Sequence, residues 1–302
     1  MATFKRVALL GKGLLGSAVL EELVNSDFGV TVFSRSPPSG ETLPSGVAVK
    51  QVNYTSKESL VAALKCHDVA ISTLGPQATL SQTTIIDACI SAGVIRYVPS
   101  DFGSSTTDPE ARGFPVYGPL VRIQDYLKEK AQSGELEYTI FSIGMFLDFV
   151  INTPVIIDPD THTAQIYDKG DVPFSTTSVA SIGKAVAGAL KNPVATRNKN
   201  LFIHDALITQ AKVLALAKEA SPPGTKWTET SIDAKAELER ALKQSIENPM
   251  DIEALMPLLK ATLLTGVYNS GYKEVDNELV GLPLMTDEKL KNLFSLRYHG
   301  KA

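Results

Sequence analysis

The chain has 302 residues, more than a single domain usually holds, so one large or two intergrown domains are expected, with ample material for a core. Hydrophobic residues make up 44% and charged ones 21%, the balance of a globular protein, and a net charge of -4 excludes a broad basic field for nucleic acid or an anionic membrane. Two cysteines (Cys66, Cys89) and four scattered histidines match no zinc spacing, so no metal site is expected and both thiols are expected in the interior.

MATFKRVALLG runs directly into a strand pattern without the cleavage site of a signal peptide, and no apolar run reaches the ~20 residues of a membrane span. A cytoplasmic protein is the expectation. Short apolar runs then alternate with helix-period segments: VALL (7–10), VTVFS (30–34), VAVKQV (47–52), VAIST (69–73), IRYVP (95–99) and YTIFS (138–142). Leu15, Val19 and Leu23 repeat at i, i+4, i+8, and Ile86, Cys89 and Ile90 at i, i+3, i+4, so each helix offers one apolar face to a sheet. After about residue 150 the pattern changes. DPDTHT (158–163) is a turn cluster, AQIYDKG a strand ending in a turn, SVASIGKAVAGAL (178–190) a helix and NLFIHD (200–205) a further strand. Thr209 is placed to cap a helix that SPPG (221–224) ends, and segments near 233–247, 251–266 and 287–297 read as helices. The fold expected is α/β: a Rossmann-type doubly wound parallel sheet over 1–150, then a smaller, mainly helical substrate lobe over 151–302, with segments around 164–205 returning to the first domain.

GKGLLG, from Gly11 through Lys12, Gly13, Leu14 and Leu15 to Gly16, follows the first strand and opens the first helix. A GxGxxG string alone is weak evidence, but its flanks fit a dinucleotide site. Gly11 allows a tight turn, Gly13 lets backbone approach a pyrophosphate, Gly16 allows close helix-sheet packing, and the helix N-terminus favours phosphate charge. The end of the second strand chooses between cofactors. An NAD site usually has a carboxylate there for the ribose 2'-hydroxyl, whereas VFSRSPP offers Ser34 and Arg35, with Lys12 to add a second cation. A guanidinium fork matches a phosphate dianion, so NADP(H) is the expected cofactor.

DVAISTLGPQATLSQTTIIDACISAGVIRYVPSDFG (68–103) and FSIGMFLDF (141–149), together with the glycine turn, resemble the NmrA-like and isoflavone-reductase-like proteins, atypical members of the short-chain dehydrogenase/reductase superfamily. The resemblance covers about the first 150 residues well and the rest more loosely, through KWTETS (226–231) and the helix-rich tail. It implies that Thr73, Leu74 and Gly75 border the cofactor's ribose and phosphates and that Ser100 and Phe102 lie near the nicotinamide. Leu120, Met145 and Phe146 are expected as an apolar pocket floor for a small, largely hydrophobic or aromatic substrate. Two positions depart from the family pattern. Leu10 stands where a glycine is common, and Leu120 stands where family reductases carry a lysine, six residues before the pair matching Tyr126 and Leu127.

Hydride transfer leaves negative charge on the accepting group, and a positioned acid there contributes typically 10² to 10⁴-fold. Leu120 supplies neither proton nor charge, and no lysine lies between Ser100 and Tyr126. Tyr117, Asp101 and Ser100 are the candidate replacements. Three readings stay open: a reductase using one of these groups, an enzyme of isomerase or cyclase type that keeps NADP(H), and an NmrA-like redox sensor without catalysis. The partners expected are a small-molecule substrate and, under the sensor reading, a regulatory protein; a homodimer stays open.

Overall fold

The computed structural model describes residues 3–36, 43–104, 106–248 and 252–299. The first half gives β1 (Arg6–Leu10), α1 (Leu14–Asn25), β2 (Gly29–Ser34), β3 (Ala48–Gln51), α2 (Lys57–Leu64), β4 (Val69–Ser72), α3 (Gln82–Ala92), β5 (Arg96–Val98), β6 (Phe102–Gly103), α4 (Gly118–Gln132), β7 (Glu137–Ser142), β8 (Met145–Phe146) and α5 (Leu147–Asn152). The second gives β9 (Thr163–Tyr167), β10 (Pro173–Thr177), α6 (Val179–Lys191), β11 (Lys199–Phe202), β12 (Ala206–Thr209), α7 (Gln210–Ala220), β13 (Thr228–Ile232), α8 (Ala234–Glu247), α9 (Ile252–Leu264) and α10 (Asp287–His299). No helix among the described residues is long and apolar enough to cross a membrane.

The main sheet is parallel in the order β3-β2-β1-β4-β5-β7-β11, with β6 also pairing with β7. Chain order reverses between β1 and β4, where Val7 pairs with Val30 on one side and with Val69 on the other. Strand side chains alternate between the two faces, and both faces are covered. Val7, Leu9, Val32, Ile71 and Leu201 enter one core, under α1 and α6. Ala8, Leu10, Phe33, Ala70 and Ile140 enter the other, under α2, α3 and α4. Each such fully buried Val, Leu, Ile or Phe side chain contributes about 1.5–3 kcal/mol, which explains why the strands read as continuous apolar runs. Local chemistry sets the helix starts: Ser56, Ser178 and Thr209 accept hydrogen bonds from the N–H groups of Ser59, Ser181 and Lys212.

A second core joins α5, α7, α8, α9 and α10 to a three-stranded sheet, β12-β10-β8, and a two-stranded one, β13-β9. The returning segment is narrower than the expected 164–205. β9 stays in the second lobe because it pairs with β13, and β10 stays there because it pairs with β8 and β12. α6 and β11 are what return. β11 extends the main sheet beside β7, α6 packs on α1, and Val280 and Leu282 join the same core. The cysteine expectation holds for Cys89, which is buried, and fails for Cys66, which is exposed just past α2 with φ +70°.

One buried cation fastens the edge. The Arg96 guanidinium, 1% exposed, donates to Glu137 Oε2 at 2.6 and 3.1 Å, to Thr196 Oγ1 at 2.9 Å and to the Pro193 carbonyl at 2.6 Å, and lies 4.9 Å from the centre of the Phe4 ring. Burial pushes its pKa down and Glu137 opposes that shift. Thus β5, β7 and the connection from α6 to β11 meet at one side chain.

The tightest helix contact is at Gly188 of α6, where an added Cβ would stand 2.0 Å from the Val280 carbonyl oxygen. Because that neighbour is backbone, Gly188→Ala is expected to lower unfolding free energy by about 1–3 kcal/mol in urea titration. A change below a few tenths would show that this contact yields freely.

Candidate active site

Parallel sheets of this kind bind ligands outside the carboxyl ends of the strands, where strand order reverses. Here that point is flanked by the Gly11–Gly16 turn after β1 and by Thr73, Leu74 and Gly75 after β4. Gly11 has φ +95°, and Thr73 Oγ1 donates to its carbonyl at 2.9 Å. Gly16 is buried against that turn: an added Cβ would lie 2.4 Å from Gly11 O and 2.7 Å from Thr73 Oγ1. At Gly13 the same construction meets nothing within 4 Å. Gly13 caps α1, which has no side-chain cap and no acidic residue in its first turn, so its N-terminal dipole faces open space. Leu14 is 60% exposed at the same end, while Leu15 turns inward onto the core. These features fit the pyrophosphate of a dinucleotide.

At the end of β2, Arg35 is exposed and its backbone carbonyl accepts from Gln51 Nε2 at 3.0 Å. Tyr54 donates to the Phe33 carbonyl at 2.8 Å; burial pushes its hydroxyl up to about 12, and the Arg35 charge opposes the shift. The Ser34 hydroxyl is turned onto its own loop and donates to Ser36 O at 2.5 Å. Arg35 is therefore the charged group at this strand end, with Gln51 and Tyr54 holding the backbone beneath it. Sequence reasoning passed over both.

Past β5, the Ser100 N–H donates to Gln82 Oε1 at 2.8 Å and its hydroxyl meets Ser72 Oγ at 2.8 Å. Gln82 also accepts from Tyr97, and its Nε2 is buried without a partner. Phe102 stacks on Phe141 with ring centres 5.8 Å apart. Asp101 is bound to its own loop and to α4. Its carboxylate is 3% exposed and accepts from Thr106 Oγ1 at 3.0 and 3.1 Å and from Gln124 Nε2 at 2.7 Å. Burial pushes its pKa up, against both hydrogen bonds. Gln124 in turn accepts from Arg112, which also grips Asp125. A carboxylate so committed fixes the loop that follows β5 onto α4.

Tyr117 ends a short 3-10 turn and caps α4. Its hydroxyl lies 3.1 Å from that of Tyr268 and 3.4 Å from Thr262 Oγ1, both in the second lobe. Burial is the main cause that pushes its pKa well up, with Tyr268 adding to it. Leu120 packs in the same cluster, with Phe114, Val116 and Leu259. Tyr272 lies next along, its hydroxyl accepting from Gly144 N–H at 3.1 Å. The expected floor of Leu120, Met145 and Phe146 is not one surface. Met145 and Phe146 are neighbours on β8, so they point to opposite faces: Met145 joins the second-lobe core and Phe146 the first. A separate groove of about 650 Å³, lined by Phe4, Phe28, Leu190 and Pro193, lies at the opposite, amino-terminal edge of the sheet and takes no part in this site.

The two glycines separate binding from folding. Gly13→Ala is expected to leave thermal stability nearly unchanged and to weaken NADPH at least about tenfold by fluorescence titration, since its methyl would project where the pyrophosphate approaches. Gly16→Ala is expected to lower both. Undiminished NADPH binding by Gly13→Ala would mean that the phosphates lie elsewhere.

A family model described as NAD(P)H-binding matches residues 11–193. "Oxidoreductase aprR" of Aspergillus flavus is 30% identical over 287 residues, covering 93% of this chain and 95% of that one. "Isoflavone reductase homolog P3" of Arabidopsis thaliana is 26% identical over 291 residues, covering 89% and 90%. Among solved structures, an isoflavone reductase superposes with a TM-score of 0.76 at 21% identity, covering 97% of this chain and all of the other. The glycine turn, the strand order and these relatives agree: the chain belongs to the NAD(P)H-binding, isoflavone-reductase-like and NmrA-like family of oxidoreductases.

Proposed function

We propose that this oxidoreductase uses NADP(H) to reduce a small, largely hydrophobic and aromatic substrate, and that the Tyr117–Tyr268 hydroxyl pair holds the proton that family reductases assign to the lysine absent at Leu120. The observation that carries the reading is the 3.1 Å contact between those two hydroxyls beside Leu120.

When bound, NADPH supplies a hydride. Gly13 and the N-terminus of α1 would hold its pyrophosphate, and Arg35 its 2'-phosphate, for which a guanidinium is suited and against which, among the described residues, no carboxylate stands at the end of β2. Leu120, Phe114, Val116 and Leu259 surround Tyr117 with apolar side chains, which exclude water and keep its hydroxyl protonated. Thr262 donates to the Leu259 carbonyl at 3.0 Å, so its oxygen is left to accept from Tyr117. With the Tyr117 proton given to Thr262, Tyr268 donates to the Tyr117 oxygen, and it can turn that one proton instead towards a substrate oxygen that becomes negative. The isoflavone reductase relatives support an aromatic substrate.

Arg35→Ser is expected to weaken NADPH by at least about tenfold while leaving NADH within a few-fold, measured by fluorescence titration of both; a parallel loss for the two cofactors would remove Arg35 from the 2'-phosphate. Tyr117→Phe is expected to lower kcat by about 10²–10⁴-fold with KM little changed, against a panel of aromatic enones and aldehydes. Since the tyrosine is pushed upward, wild-type activity should not fall through its deprotonation below about pH 10, the ordinary tyrosine range. Product formed without net NADPH oxidation would replace this reading with the isomerase one.

A further inference from the structure

A groove of about 560 Å³ opens in the second lobe, well within the size range of small-molecule sites. Pro154 and Val155 form one wall, Met256 and Pro257 of α9 another, and Tyr167 of β9 lies between them. Three charged side chains enter it: Glu237 and Arg240 of α8, and Lys260 of α9. Two of these satisfy each other. Arg240 donates to both Glu237 oxygens at 2.6 and 2.8 Å and sends its remaining arm to Gln244 at 3.0 Å.

Lys260 is placed differently. Its ammonium stands 5.6 Å from the centre of the Tyr167 ring, within cation–π range. Burial pushes its pKa down, and Glu237, already closed by Arg240, is the charge that opposes the shift. Tyr167 is also half of an aromatic-cation pair whose hydroxyl is pushed up to about 12, chiefly by burial. Among the described residues the groove thus holds one net positive charge in apolar surroundings: two cations against one carboxylate.

We propose that this groove binds a small organic anion, a carboxylate carried on a flat apolar body, with Lys260 as its counter-ion. Among the described residues this ammonium has no ion pair of its own; withdrawing such a charge from water is costly, and an anion entering beside it relieves that cost. The apolar walls accept the body of the ligand. This site is distinct from the crevice at the sheet edge. At 100° per residue, Met256, Pro257 and Lys260 face one side of α9, while Leu259 and Thr262 face the Tyr117 cluster on another. The inference does not depend on the redox reading.

The test is calorimetric titration of 2-naphthoate, and of the uncharged 2-naphthamide, into the full chain saturated with NADP+. Naphthoate is expected to bind at least tenfold more tightly than naphthamide. Lys260→Met is expected to remove that tenfold preference while leaving naphthamide, NADP+ affinity and the melting temperature unchanged; Lys260→Arg, which keeps the charge, is expected to retain it. Tyr268→Phe, in the crevice, is expected to leave naphthoate binding as it was. Equal affinity for the two probes, naphthoate binding undiminished in Lys260→Met, or a loss caused by Tyr268→Phe would overturn the proposal.

Discussion

The contact between Gly16 and the Gly11 carbonyl governs the site. With 2.4 Å between an added Cβ and that oxygen, no larger side chain fits, so the first turn of α1 lies directly against the end of β1. That approach aims the N–H groups of the helix at the reversal point of the sheet. Thr73 fixes the opposite rim to the same carbonyl, so the two loops bordering the crevice share one acceptor. On the outer side of α1, α6 packs over it and brings β11 to the sheet. That packing has a close glycine of its own: a Cβ added at Gly183 of α6 would stand 2.6 Å from the Ala18 carbonyl oxygen of α1.

The crevice beyond this contact is shared between lobes. The first lobe contributes Tyr117 and Leu120 at the start of α4, and the second contributes Thr262 and Tyr268. Missing charge at Leu120 does not leave the region without protons, because hydroxyls gather there. Burial alters their character: a hydroxyl whose pKa is raised remains a donor but is a weaker acid than an ammonium in the same place.

Much of this was legible along the chain. Central strand runs such as VALL and VAIST are apolar because both faces of the sheet are covered there, while the edge run VAVKQV carries the exposed Lys50 and Gln51; the glycine turn lies between a strand and a helix as its spacing requires. The proton-bearing groups were harder to read. Tyr117 meets partners 145 and 151 residues further on, and no local period encodes such a pairing. A loop carboxylate such as Asp101 is expected to bond locally, but that its partner is Gln124, 23 residues later, is not legible in the sequence. Arg96 is a cation in a strand that is otherwise apolar, and only the assembly of Glu137, Thr196 and Pro193 makes its burial tolerable. The reach of the returning segment depended on strand pairing, which composition does not reveal.

The return of α6 and β11 has a bearing on how such a protein can change over evolutionary time. The two lobes are stitched by several passes of the chain, so neither can be exchanged as a cassette. A chain ending near residue 150 would leave β7 without β11 and expose a row of N–H and C=O groups open to pairing with another molecule. The helices α8 and α9 take no part in strand pairing, so side chains on their outer faces can change without unpicking the sheet.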